Sequence, residues 1–170
     1  SLEYLENVII GCTDANACNY DSLANVDDGS CLEDDCNGDC GGSSVEDECG
    51  VCNGSGPAEN YTCEGMPLEF DYNVSTQVAY YYINSVTIDG AAIDSSDWVG
   101  AFNGDICVGA RKWNTFFCGN GICDVPVSGN DGSEWTVGYM TSGDIPTFKI
   151  YDASNNTYYN AVASADEPWE

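Results

Sequence analysis

The stretch DWVGAFNGDICVGAR, residues 97–111, decides the fold expected for the larger part of the chain. Asn103-Gly104 lies between two apolar runs, which is a strong signal of a β-hairpin. From Leu68 onwards, further short apolar runs alternate with turn residues and show no helical period. A second hairpin is predicted where PTFKIYDA and TYYNAVA flank Ser154-Asn155-Asn156. We therefore predict a mainly β domain over residues 66–170, a β-sandwich or jelly roll.

The charge of the chain excludes several functions. The 170 residues include 29 acids, three bases and no histidine, for a net charge of −26. Phosphates would be repelled, so neither nucleic acid nor an anionic membrane surface is an expected partner. No apolar run approaches the roughly 18 residues of a membrane span, so no membrane insertion is expected. Without histidine, Ser-His-Asp and Cys-His catalysis are excluded, and no carboxylate pair stands out, so we predict no enzymatic activity.

Composition divides the chain near residue 65. Residues 1–65 hold eight cysteines, fifteen acids and no Lys or Arg, whereas residues 66–170 hold all three bases. This cysteine content is typical of secreted disulfide scaffolds that lack an apolar core. We predict an extracellular or cell-surface protein of three segments: an apolar N-terminal strand (1–10), a Cys/Asp-rich irregular segment (11–65) and the β domain, with the boundary inside Gly54–Pro67.

The acids of the Cys/Asp-rich segment fit an oxygen cage for calcium. Calcium takes six to eight oxygen ligands in irregular geometry, and disulfides would hold the loops that carry them. Calcium is therefore the predicted cofactor. The candidate ligands are Asp14, Asn16, Asn19, Asp21, Asn25, Asp27, Asp28, Asp34, Asp35, Asp39 and Asp47. The alternative interpretation is that these acids form a solvated surface.

Two blocks carry a resemblance to known repeats. GCTDANACNYDSLANVDDGSC, residues 11–31, resembles the Asp/Cys calcium-binding repeats of secreted bacterial surface proteins, which are thrombospondin type 3-like, although it has no full DxDxDG run. DDCNGDCGGSSVEDECGVCNGSG, residues 34–56, is similar to the Cys-Gly-acid repeats that follow them and contains two related units. The resemblance implies calcium binding by Asp14, Asn16, Asp21, Asp27 and Asp28, and disulfide pairing of the cysteines. Residues 68–165 resemble extracellular bacterial β-sandwich modules.

Eleven cysteines leave at least one thiol free or intermolecular. The eight in the first 65 residues allow 105 pairings, so no connectivity is assigned. Cys118 and Cys123 bound a short loop that can close locally, which leaves Cys107 over unless it pairs with Cys63 or with another molecule. A zinc site and a redox CGVC pair are the minor alternatives. The predicted disulfide cysteines are Cys12, Cys18, Cys31, Cys36, Cys40, Cys49, Cys52, Cys63, Cys118 and Cys123.

The N-terminal segment SLEYLENVII reads as a strand without a sheet of its own. It is expected either to pair with the C-terminal domain of its own chain or to add to an exposed sheet edge of a neighbouring molecule. Exchange of the second kind, head to tail, makes an open filament. The residues assigned to assembly are Leu2, Tyr4, Val8, Ile9 and Ile10.

Exposed aromatic rings and sequons indicate possible contacts with glycans. Rings can serve as stacking platforms for sugars, although alternation along strands places about half of them in the core. The aromatic candidates are Tyr80, Tyr81, Tyr82, Trp98, Trp113 and Trp135. The candidates for N-glycosylation are Asn53, Asn60, Asn73 and Asn155, each of which begins an N-x-S/T sequence.

These observations predict an extracellular, calcium-binding structural protein. Its expected role is that of a filament subunit or surface-assembly module, which associates with copies of itself by N-terminal strand exchange. The alternative is a carbohydrate-binding or adhesive module of a larger secreted protein.

Overall fold

The computed structural model describes residues 7–170. Two compact units divide the chain, Ser1–Pro57 and Ala58–Glu170. We call the first the arm and the second the β unit. The division lies inside the predicted boundary segment, but residues 58–65 group with the β unit and not with the Cys/Asp-rich segment. Within the described residues, no helix is long and apolar enough to cross a membrane.

The arm consists of turns and very short strands. Strand β1, Ile10–Gly11, pairs in parallel with β2, Val26–Asp27. Isolated bridges join Asp34 to Cys40 and Glu46 to Cys52. Among the described apolar residues of the arm, Cys12 alone is buried. The arm therefore has no hydrophobic core, as its composition predicts.

The β unit contains eight strands among its described residues, and its hairpins follow the turn signals. Asn103-Gly104 lies at the β6–β7 turn, and residues 153–156 connect β9 to β10. The first apolar run of this unit begins with a 3-10 turn at Leu68–Phe70. The strands are β3 (Val78–Ile83), β4 (Thr87–Ile88), β5 (Ala91–Ala92), β6 (Trp98–Asn103), β7 (Ile106–Lys112), β8 (Cys123–Ser128), β9 (Thr147–Asp152) and β10 (Thr157–Ala161).

These strands form one larger sheet and two antiparallel pairs. The larger sheet has the order β10-β9-β6-β7 and is antiparallel throughout. Strand β3 pairs with β8 from Val78–Ser128 to Ile83–Cys123, and β4 pairs with β5. The protein is thus mainly β and disulfide-rich, as predicted.

One face of the larger sheet shares a core with the β3–β8 pair. Val99 and Val108 lie in this cluster with Val125 and Val127 of β8, all nearly inaccessible to solvent. Alternate residues of a strand point to opposite faces, so β8 buries one side and presents the other outward. Packing of this kind fixes the position of the β3–β8 pair on the sheet.

The opposite face is covered by the beginning of the β unit. The buried Phe70 ring packs edge-on against Phe102 and Tyr151, with ring centroids 5.8 and 6.5 Å apart. A side chain at Gly100 would lie 2.8 Å from the Phe70 ring, so the glycine makes room for it. Tyr61 packs on Tyr151 at 5.9 Å. This contact explains why residues 58–65 belong to the β unit.

Strands β7 and β8 approach each other very closely. A Cβ atom at Gly109 would lie 1.7 Å from the carbonyl oxygen of Pro126, so only glycine fits there. Arg111 Nε donates to the carbonyl oxygen of Asp124 at 2.8 Å, and its Nη2 forms an ion pair with the Asp124 carboxylate. The β7 edge of the larger sheet is therefore covered by β8.

Trp169 fixes the last described residues to the core. It is 6% exposed, and its Nε1 donates to the carbonyl oxygen of Val127 at 2.9 Å. A Cβ atom at Gly129 would lie 2.2 Å from its ring. Its backbone N–H donates to Asp144, and its carbonyl accepts from Gly143. The ring thus closes one end of the core that the sheet shares with β3 and β8.

We expect Trp169→Ala to lower the free energy of unfolding of the β unit by about 3–5 kcal/mol, because it empties a packed aromatic site. Urea unfolding followed by near-UV circular dichroism measures the change. Trp135→Ala is the matched control, since Trp135 is 65% exposed; it should change the free energy by less than about 0.5 kcal/mol. Equal effects of the two substitutions would contradict the assignment of Trp169 to the core.

Candidate functional site

The disulfides of the arm overlap along the sequence. Residues 7–170 contain Cys12–Cys31, Cys18–Cys40, Cys36–Cys52 and Cys118–Cys123, and Cys49 and Cys63 are disulfide-bonded as well. All ten predicted disulfide cysteines are confirmed. The zinc and redox alternatives are wrong, because the four thiolates that zinc would need are oxidised and Cys52 pairs with Cys36, not with Cys49.

Cys107 is the free cysteine. It is buried in the cluster around Phe70, and burial raises the pKa of its thiol to about 11. Desolvation disfavours the thiolate, so this thiol is an unreactive core residue at neutral pH. The alternative of a bond between Cys107 and Cys63 is wrong, because Cys107 is free and Cys63 is disulfide-bonded. The burial of Cys107 disfavours a bond to another molecule.

The arm contains two equivalent turns whose corresponding residues are twelve positions apart. The spacing D-x-x-G-x-C-x-G occurs at residues 35–42 and again at residues 47–54. The backbone N–H of each Asp donates to the residue four positions later, and the N–H of each first glycine donates to the Asp carbonyl. The cysteine pairs in the sequence indicate two related units. The spacing from Asp to Gly and Cys gives the structural alignment, which places Cys40 with Cys52.

Each of these aspartates holds its turn through three backbone N–H groups. Asp35 Oδ1 accepts from Asn37 at 2.9 Å and from Asp39 at 3.0 Å, while Oδ2 accepts from Ser44 at 3.0 Å. A Cβ atom at Gly42 would lie 2.0 Å from Asp35 Oδ2. The carboxylate thus replaces the missing core as the centre of the turn, and the glycine leaves space for it.

The second turn repeats this arrangement. Asp47 Oδ1 accepts from the N–H groups of Cys49 and Val51, both at 2.9 Å, and Oδ2 accepts from Gly56 at 2.8 Å. Gly54 approaches Asp47 Oδ2 as closely as Gly42 approaches Asp35. Two positions of the calcium prediction, Asp35 and Asp47, therefore serve as acceptors for backbone N–H groups.

A reduced version of the turn opens the β unit. The N–H of Thr62 donates to the carbonyl of Met66, and the N–H of Gly65 donates to the carbonyl of Thr62. Thr62 Oγ1 accepts from the N–H of Met66 at 3.2 Å, as the Asp35 and Asp47 carboxylates do at the equivalent positions. Thr supplies one acceptor oxygen where Asp supplies two.

The hydrogen bonds lower the pKa of both aspartates. For Asp35 the main cause is the N–H of Asp39, and for Asp47 it is the N–H of Val51. A hydrogen bond to the ionised form favours that form. These carboxylates remain charged well into the acidic range.

The acids of the first block make local turns of the same chemistry. Asp14, Asp21, Asp27 and Asp28 each accept, through Oδ1, the backbone N–H two residues later at 2.9–3.1 Å. Asx turns of this kind are why aspartate is common in tight turns. Asn16 also donates its side-chain amide to Asp14 Oδ1.

Asn19 and Asn25 connect distant segments of the arm. Asn19 Oδ1 accepts from the N–H of Leu32 at 2.8 Å, and its Nδ2 donates to the carbonyl of Ser30 at 2.6 Å. Asn25 Oδ1 accepts from the N–H of Ile9 at 3.0 Å, and its Nδ2 donates to the carbonyl of Asn7 at 2.9 Å. Both side-chain amides thus bond to backbone groups of distant segments, as a neighbouring strand would do in a longer sheet.

The predicted calcium ligands do not form a cluster of carboxylates. Within residues 7–170, the group of three Cys or acidic side chains that lie close enough for one ion consists of Cys18, Asp34 and Cys40. Its two sulfurs belong to one disulfide, so they provide no thiolate. Any calcium site in the arm would need amide or backbone carbonyl oxygens beside its carboxylates.

The described part of the N-terminal segment pairs within the arm. Leu2 and Tyr4 lie outside the described residues. Ile9 accepts from the N–H groups of Asn25 and Val26, and Ile10 pairs with Val26 in the β1–β2 ladder. The expectation that the Cys/Asp-rich segment offers this segment no pairing is therefore wrong. The cause is the long-range Asn25 contact, which no local pattern indicates.

The outer edge of β10 is open within the described residues. Strand β10 is the last strand in the sheet order, and its pairing with β9 runs without a register shift. Its sequence TYYNA contains no charge and no proline. Natural edge strands are usually protected by charges, proline or bulges. This edge is therefore suited to accept another strand.

The six aromatic candidates divide between core and surface. Trp113 is buried, and Tyr81 and Trp98 are half-buried, whereas Tyr80, Tyr82 and Trp135 are exposed. The alternation expected for β3 is confirmed. The four sequon asparagines are exposed; the amide of Asn53 donates to Ser44 and that of Asn155 donates to Asp152. Their glycosylation stays a prediction.

No family model, no curated protein and no solved structure matches this chain.

The carboxylate turns should respond to acid in a defined range. The folded-state pKa values are depressed, so the turns are fully stable above the ordinary value of 3.8 and weaken as pH falls through the lower folded-state values. In an NMR titration from pH 7 to 2, the amide protons of Asn37, Asp39 and Ser44 should shift together with a midpoint below 3.8.

Asp35→Asn provides the control for this titration. It should abolish the shared transition in the first turn and leave the transition of the Asp47 turn unchanged, because each carboxylate serves its own backbone. A midpoint at or above 3.8, or independent shifts of the three amides, would show that the carboxylate does not hold the turn.

Proposed function

We propose that the chain is an extracellular, non-enzymatic structural subunit that joins copies of itself head to tail. In this proposal the arm is a disulfide-linked spacer and the β unit accepts a strand from the next copy. Five disulfides fit an oxidising compartment outside the cytosol. The core shared by the larger sheet and the β3–β8 pair supports a β-sandwich as the acceptor.

The open β10 edge is the observation that carries the proposal. The β7 edge is covered by β8, whereas β10 presents unpaired backbone groups without a protecting charge or proline. Tyr159 and Asn160 are exposed on this strand. Strand addition would satisfy the free backbone groups and supply affinity through main-chain hydrogen bonds.

We propose residues 1–8 as the donor. Leu2 and Tyr4 flank an acid in the alternating pattern of a strand. Ile9 and Ile10 are held by Asn25 and Val26 of their own arm, so the donated part ends before them. A donor and an acceptor on different parts of one chain generate an open assembly and not a closed ring unless the rotation closes.

Deleting residues 1–6 should abolish assembly and leave the fold intact, because the Ile9–Asn25 contacts remain. Negative-stain electron microscopy and sedimentation velocity of the full and shortened chains measure this. Replacing residues 1–6 with a Gly/Ser segment of equal length controls for chain length and should also fail to assemble. Assembly by either variant refutes the donor role.

Two proline substitutions test the acceptor edge separately. Along an edge strand, successive N–H groups point alternately to the neighbouring strand and outward. Of Tyr159→Pro and Asn160→Pro, one should therefore block assembly at little cost to stability, while the other breaks the β9–β10 pairing and lowers the melting temperature. If the variant that keeps its melting temperature still assembles, β10 is not the acceptor.

We also propose that calcium binds in residues 14–28 of the arm. The support is the electrostatic composition: residues 1–65 carry fifteen acids and no base. Repulsion among these acids opposes the compact state, and a bound divalent cation offsets it. Asp35 and Asp47 each accept three backbone N–H groups, whereas each aspartate of the first block accepts one. The first block therefore has more free acceptor sites for an ion.

Calcium should raise the melting temperature of the arm and protect it from proteolysis, since a ligand that binds only the folded state stabilises it. Asp27→Asn with Asp28→Asn should remove the calcium-dependent rise. Asp35→Asn should lower the melting temperature and preserve the rise. A melting temperature that is the same in calcium and in chelator would leave no role for the ion.

A further inference from the structure

A shallow depression lies on the outer face of the β3–β8 pair. Its volume is about 460 Å³, within the range of ligand pockets. Its lining comes from the strand pair, from Tyr72 and Val74, and from the end of β7. The lining includes Tyr72, Val78, Tyr80, Arg111, Asp124 and Pro126.

Two exposed tyrosine rings lie on this face, on alternate residues of β3. Tyr80 and Tyr82 are 56% and 75% exposed, while Tyr81 between them turns inward and packs on Phe148 with centroids 6.0 Å apart. Tyr80 lies opposite Pro126 in the ladder, and Tyr82 lies opposite Asp124. The outward side of the pair is therefore a strip of rings about two residues, or roughly 7 Å, apart.

A preorganised polar pair stands beside the rings. The Arg111 guanidinium donates through Nε and Nη2 to the carbonyl and carboxylate of Asp124, and both side chains remain partly exposed. The guanidinium has further N–H donors and the carboxylate further acceptor sites. Because each group holds the other in place, little side-chain entropy remains to be lost when a ligand binds.

The charge of this site selects the ligand. Arg111 is one of three bases in a chain of net charge −26, and its charge is balanced by Asp124. An anionic polymer would be repelled by the protein as a whole, and a cation would find no unbalanced carboxylate at the pair. The rings stack on apolar sugar faces, and the polar pair exchanges hydrogen bonds with hydroxyl groups.

We propose that the outer face of the β3–β8 pair binds an uncharged polysaccharide, with Tyr80 and Tyr82 as stacking platforms and Arg111–Asp124 as the hydroxyl-binding group. This site lies on the opposite side of β8 from the shared core and does not involve β10. The proposal is therefore independent of strand exchange and would give an assembled or a single subunit the means to adhere to a glycan surface.

Affinity electrophoresis of the full chain tests the proposal, with hydroxyethylcellulose, laminarin, glucomannan and dextran as neutral probes and alginate as the anionic probe. At least one neutral probe should retard the protein and alginate should not. Tyr80→Ala and Tyr82→Ala should each weaken binding roughly 3- to 10-fold. Trp135→Ala, at an exposed ring elsewhere, should leave binding unchanged. Circular dichroism verifies that each variant is folded.

Several results would overturn the proposal. These are no retardation by any neutral probe, retardation by alginate alone, and equal loss of binding in the Trp135 variant. Sedimentation velocity tests whether a second copy of the chain occupies this face instead of a glycan. If the two tyrosine variants lose self-association and keep glycan binding, the face is a contact between copies. Failure of assembly in the shortened chain, with glycan binding retained, would refute only strand exchange.

Discussion

A carboxylate that accepts three backbone N–H groups is the interaction on which the arm depends. Chains of this length usually order their loops around a hydrophobic core, and the described part of the arm buries one apolar side chain, Cys12. Asp35 and Asp47 each accept three N–H groups from a segment of ten residues, 35–44 and 47–56. In a domain with a core, most backbone N–H groups are paired within helices and sheets. In these turns, aspartate side chains accept them instead.

The same constraint accounts for the glycines and disulfides of the arm. Gly42 and Gly54 are required because a Cβ atom would collide with the central carboxylate. The turns alone fix little of the chain, and the disulfides Cys18–Cys40 and Cys36–Cys52 hold them to their neighbours. The β unit uses the opposite strategy, in which both faces of one sheet are covered by apolar and aromatic side chains.

Local chemistry made parts of this structure predictable. Asn103-Gly104 identifies its hairpin because the turn residues and the flanking runs are adjacent in sequence. Cysteine density identifies the disulfide scaffold, but its connectivity depends on contacts between residues 16 to 22 positions apart, which composition does not encode. Phe70 lies in an alternating segment that resembles a strand, and it serves instead as a single ring inserted against the sheet.

The candidate site was harder to predict for a chemical reason. Aspartates that cap turns and aspartates that bind calcium both occur in sequences rich in Gly and Asn. The sequence around Asp35 and Asp47 is therefore compatible with either role. The repeat of twelve residues distinguishes the two roles. It places a glycine seven residues after each aspartate, at Gly42 and Gly54, where the capping geometry leaves no room for a Cβ atom. The Asn25 contacts to residues 7 and 9 have no sequence signature, although they hold these two residues to the rest of the arm.

The overlap of the disulfides gives the arm a mechanical property. Force applied between Cys12 and Cys52 passes from Cys12 to Cys31, along five residues to Cys36, and across to Cys52. With Cα separations of 4.7 and 5.5 Å across the two bridges, this path extends to about 28 Å, against about 140 Å for the same 40-residue span without bridges. Under load the segment between Cys12 and Cys52 therefore cannot extend beyond this length, even when its turns open.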